Sequence, residues 1–193
     1  MELGFVDAKT ALLIAHLFGV ALGAGGAFIS DAMFFSAARD SSISRTEFGF
    51  LMLGSRFVFA GLFVLIASGV ALFSLDPERY LASSKFLVKM TIVAVIAVNG
   101  VFLHALHIPR LRRHIGAHFP SSDEFIRHRP FLLASGTVSL VSWGAAIALG
   151  VLKAVPFPYG SILGAYGAAL ALALLATFAL RDILLPSHRV SRR

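Results

Sequence analysis

His16 is the residue with the greatest capacity for chemistry in this chain, and Gly19, Gly23 and Gly26 follow it at steps of three or four. In a helix that spacing puts all four on one stripe. An imidazole offers one donor and one acceptor nitrogen, and so it can ligate a metal, shuttle a proton or tie two helices together. Glycines beside it allow either a close helix contact or the approach of a flat ring such as a porphyrin. Lys89, Asp31, Arg56 and His104 are the other ionisable residues set in apolar surroundings. The chain has no cysteine, so thiolate-ligated metals, iron–sulfur centres and disulfides are excluded. There is no phosphate-binding loop, dinucleotide fingerprint or HExxH, and no nucleophile and base share a helix face, which leaves hydrolase and NTPase readings without support.

The elements that hold these residues are apolar. Of 193 residues 58% are hydrophobic and 14% charged, with a mean hydropathy of +0.84, a balance that requires lipid as the main solvent. Five stretches can cross a bilayer at about 20 residues each: Ala11–Phe35, Gly49–Leu75, Phe86–Ile108, Phe131–Val155 and Ser161–Leu180. None alternates with period two, so a β-barrel is excluded. The expected fold is an all-α, single-domain membrane bundle of five transmembrane helices with short links, of which only Pro109–Pro130 is long enough for an interfacial helix. The first stretch is no signal peptide, because Glu2 and Asp7 stand where a positive region is required.

On the side opposite the N-terminus the five-span model collects 11 basic residues, against 5 on the N-terminal side. The positive-inside rule then predicts an N-terminus outside and a C-terminus in the cytoplasm, in an inner membrane of bacterial type. The formal charge of +7 is thereby accounted for by topology and anionic lipid, and nucleic acid is not expected as a partner.

A rise of about 1.5 Å per residue sorts the polar groups by depth. His16 and Lys89 fall in one outer layer, together with Ser68 and Tyr166. Asp31, Arg56, His104 and His107 form an inner layer, in which Asp31 and Arg56 are expected to pair. His16 and His104 differ in depth by roughly 15 Å, too far apart to ligate one haem iron. Ser135, Ser139 and Ser142 form a polar stripe beside Trp143 and predict an inward-facing seam. Gly54, Gly61 and Ser68 on the second span, and Gly160 and Gly164 on the fifth, predict tight helix contacts. His114, His118, His128 and His188 fall in loops or the tail and receive no site role.

Two of these stretches resemble a family. His16 with Gly25, Gly26, Phe28 and Phe35, and Lys89 with Met90, Ile92, Val93 and Val95, are similar to a superfamily of small bacterial membrane proteins. It includes the membrane-bound protoporphyrinogen oxidase that binds haem b and the copper-resistance D-type proteins. The resemblance implies a haem b site with His16 as axial ligand and Lys89 as a propionate partner or second ligand. Gly19, Gly23 and Tyr166 would complete its surroundings. The expected function is then electron transfer or oxidoreduction by a haem-binding membrane protein, with a redox partner or a second copy of the chain. The alternative is a non-catalytic membrane subunit or small transporter, in which Asp31, Arg56, His104 and the other polar residues lock helices together or pass a proton or small anion.

Overall fold

The computed structural model describes residues 7–39, 44–113, 115, 123–153 and 155–184. His114, His118 and His188 lie outside the described residues, as does the side chain of His107. The described chain runs α1 (Ala8–Arg39), α2 (Arg45–Leu75), the short α3 (Pro77–Leu81), α4 (Ser84–Phe102), a π-helical turn (Leu103–His107), α5 (Ile108–Arg113), α6 (Asp123–Val151), α7 (Tyr159–Ala179) and α8 (Arg181–Leu184). Five of its helical runs are long and apolar enough to cross a membrane.

Local chemistry sets the helix ends. Asp7 accepts from the Thr10 amide at 2.6 Å at the start of α1. Ser44 and Glu47 form a reciprocal capping box on α2. Asp76 and Ser83 cap α3 and α4, and Pro77 takes the first turn of α3, where its missing N–H costs nothing. The Lys85 ammonium donates to the Leu152 carbonyl at 2.7 Å, placing a cation at the negative end of α6.

Two spans depart most from the sequence reading. α6 starts well before Phe131, because Pro130 lies inside the helix; it stops at Val151, with Pro156 and Pro158 just beyond. The third span does not end at Ile108 but passes through the π turn to Arg113. Pro109 explains the turn. A proline ring collides with the carbonyl four residues back and offers no N–H, and widening the preceding turn, so that the Ile108 amide reaches the Leu103 carbonyl, relieves the clash.

The helices form two groups. α1 and α2 pack along their length through glycines: a Cβ on Gly19 would stand 2.7 Å from the Leu65 nitrogen, and one on Gly61 would collide with the backbone of Gly23. α4, α6 and α7 form the second group, with the serine stripe of α6 buried as expected. Trp143, 1% exposed, joins the groups by laying its ring over Gly23. Outside this core the surface is apolar, with Phe63 73% and Val98 71% exposed, a distribution suited to lipid rather than water. The glycines of the fifth span lie open: a Cβ on Gly160 or Gly164 would meet nothing within 4 Å among the described residues.

Candidate functional site

The outer layer is built around His16, which reaches from α1 to α2. Its Nδ1 lies 3.0 Å from Ser68 Oγ, and its ring rests over Gly69, where a Cβ would approach Cε1 to 3.5 Å. Ser68 Oγ has one hydrogen and gives it to the Val64 carbonyl at 2.6 Å, the short partner of the preceding turn. The hydroxyl therefore accepts from His16, which assigns the proton to Nδ1 and leaves the lone pair on Nε2. Lys89, half-buried on α4, is within electrostatic reach of the ring. Tyr166 belongs to a different tie: its hydroxyl lies 2.8 Å from Ser142 Oγ and joins α7 to α6.

The glycine stripe beside His16 does not fit a haem. Gly19 is covered by the α2 backbone and Gly23 by the Trp143 ring, so a porphyrin lying along them would have to displace both. What the histidine does offer an iron is the Nε2 lone pair, with Nδ1 held by a hydroxyl in the manner of an oriented metal ligand. Among the described residues no three of His, Asp or Glu come together as a metal-holding group.

The inner layer differs from its expected arrangement. Asp31 and Arg56 do not pair. Arg56 is exposed on α2, whose buried stripe Leu51, Gly54, Gly61, Leu65 and Ser68 faces elsewhere. Two residues along from Gly54, at about 100° per residue, Arg56 points nearly away from α1. Asp31 instead lines a cavity of about 120 Å³ between the two helix groups, and its Oδ2 is buried with no hydrogen-bond partner among the described residues.

Trp143 and Leu111 both line the cavity. α1 contributes Asp31, Phe34 and Phe35; α2 contributes Ser55 and Phe59. Asn99, Gly100 and His104 close it from α4 and the π turn, and Gly136 and Ser139 from α6. His104 Nδ1 lies 3.0 Å from Ser55 Oγ, and its ring stands edge-on to Phe59 at 5.2 Å. Asn99 Nδ2 is already used, donating to the Ser135 carbonyl at 3.0 Å. Ser55 and Ser68, the partners of the two histidines, are thirteen residues apart on α2, about 20 Å at 1.5 Å per residue, so His16 and His104 do occupy separate layers.

Ser55, Asn99 and the role of Trp143 as a cavity wall are absent from the sequence reading. The available signal was Pro109, five residues after His104, which marks the bend that turns this histidine toward α2. No protein-family model, curated protein or solved structure matches the chain.

Proposed function

We propose that this chain is a small carrier of a bacterial-type inner membrane, with its N-terminus outside, that takes up a proton or a small cation at Asp31. One observation carries the reading: a membrane-embedded carboxyl whose buried oxygen lacks a partner among the described residues and whose side chain lines a cavity. A charge in hydrocarbon is costly and is normally neutralised by a neighbour. Among the described residues no lysine or arginine lines the cavity, so the carboxyl is open to neutralisation by what enters it. A lone acid in a wall that is otherwise aromatic, aliphatic and neutral polar, with His104 its one other titratable group, suits a proton or a cation and repels an anion, which narrows the transport alternative. The 11-to-5 division of basic residues supports an orientation with the Asp31 end toward the cytoplasm.

The test is chemical and functional. A hydrophobic carbodiimide, which attacks carboxyl groups in apolar surroundings, should modify Asp31 in the purified protein and leave exposed Asp76 and Asp182 unmodified. Proteoliposomes under an imposed pH gradient should dissipate it faster with the wild-type chain than with Asp31→Asn. Absence of label at Asp31, or equal dissipation, overturns the carrier reading.

A haem-based electron-transfer role is favoured by a separate observation, the Nε2 lone pair of a histidine whose other nitrogen is held by Ser68. On that reading a haem sits beside α1 away from Gly19 and Gly23. It requires a Soret band in the detergent-purified protein that shifts with dithionite and is lost in His16→Ala. A colourless protein expressed with added haem precursor removes it.

A further inference from the structure

We infer that the cavity is a binding site for a small aromatic amine in its protonated form, a single ring carrying one ammonium group. The inference rests on the reading of Asp31 as the centre of the cavity, and it names what the cavity selects.

Size comes first. A cavity of about 120 Å³ is near the engineered cavity of about 150 Å³ that accepts benzene, so the apolar body is one ring or its equivalent. The walls supply the second constraint. Phe34, Phe59 and Trp143 offer π surfaces, whose negative faces attract an ammonium or stack on a ring. Charge supplies the third. Among the described residues Asp31 is the only acid on the wall and no lysine or arginine joins it. His104 is the only other titratable group there, and its Nδ1 is engaged with Ser55. A neutral ring would leave Asp31 Oδ2 without a partner, and an anionic one would set two carboxylates together. An ammonium satisfies the carboxylate with a charge-assisted hydrogen bond in a low-dielectric site, the strongest single contact this wall can make.

Trp143 is the only tryptophan of the chain and lines the cavity, so its fluorescence reads occupancy directly. The protein in mild detergent is titrated with phenethylamine, benzyl alcohol and phenylacetate at pH 7. Phenethylamine should saturate the signal at a concentration at least tenfold below that needed for benzyl alcohol, and phenylacetate should produce no saturable change. Asp31→Asn should weaken the amine at least tenfold and leave benzyl alcohol where it was. Gly136→Leu serves as the second variant, because Gly136 lines the cavity and a Cβ there meets nothing within 4 Å. Filling that space should remove the response to both amine and alcohol while Asp31 remains in place. Equal affinity for amine and alcohol, or amine binding unchanged in either variant, overturns the inference. Carbodiimide labelling of Asp31 with no preference for the amine would defeat the ligand assignment alone; absence of both defeats the carrier reading as well.

Discussion

A histidine in a membrane helix has two nitrogens to satisfy, and here both histidines that reach across helices spend one on a serine of α2. For His16 the hydroxyl is committed to its own backbone turn, so removing Ser68 takes away the acceptor that lies 3.0 Å from the ring nitrogen. The single substitutions His16→Leu and Ser68→Ala should therefore be non-additive in thermal unfolding, with a coupling of about 0.6 kcal/mol and not above about 2. Additive losses would show that the two side chains do not interact. A second residue-scale tie joins the first turns of the fourth span to the segment just past the fifth. The buried Arg129 donates to Asp182 Oδ1 at 2.9 Å and to the Arg181 carbonyl, fastening the end of α7 to α6. The hydrogen bond from Arg129 holds the Asp182 carboxyl below its usual range. A depressed carboxyl stabilises the fold above its unfolded value near pH 4 and loses that contribution as pH falls through the lower folded value. The melting temperature of Asp182→Asn should thus lie below wild type at pH 7, and the gap should close below about pH 4. A gap already closed at pH 6 would assign the effect to another group.

At the scale of elements, five spans were legible because a 20-residue apolar run has few other solutions in water or lipid. The depth of His16 and its layer with Ser68 were legible too, since helical rise converts residue number to depth. The azimuth of Arg56 was equally available, because Gly54, Gly61 and Ser68 already mark the face of α2 that meets α1. Pairing by depth alone neglected it. The glycines of α7 misled for another reason: sequence shows that a close approach is allowed at a position, not that a partner comes to it. The two kinds of glycine separate experimentally. Gly61→Ala places a methyl group into the Gly23 backbone, which cannot yield, and should cost about 1–3 kcal/mol. Gly164→Ala adds a methyl group where nothing stands within 4 Å and should leave the unfolding temperature unchanged or slightly raised, as alanine favours helix over glycine by about 0.5–1 kcal/mol. Equal losses from the two would mean that α7 carries a contact of its own.

For the whole molecule, the cavity lies between α1, α2, α4 and α6, with Trp143 in its wall and the π turn before Pro109 contributing Leu103 and His104. No single stretch of sequence encodes that space; it arises from the packing of four spans. Its orientation decides its use. In the proposed orientation, with the Asp31 end toward the cytoplasm, a solute released from the cavity would enter the cell side; reversed, the same cavity would open outward. The absence of cysteine makes the orientation directly measurable, since a single introduced thiol is the only one to react. Glu78 is exposed on α3 in the link between the second and third spans, and Arg112 is exposed on α5 at the opposite end. In intact cells a membrane-impermeant maleimide should label Glu78→Cys, and it should label Arg112→Cys only after permeabilisation. The basic residues around α5 predict that result, because translocating Arg110, Arg112 and Arg113 together across the membrane is what the positive-inside rule disfavours. Labelling of Arg112→Cys in intact cells, with Glu78→Cys protected, would invert the protein and turn the Asp31 cavity to the outside. Its amine selectivity would stand, because that depends on the wall and not on which way the wall faces.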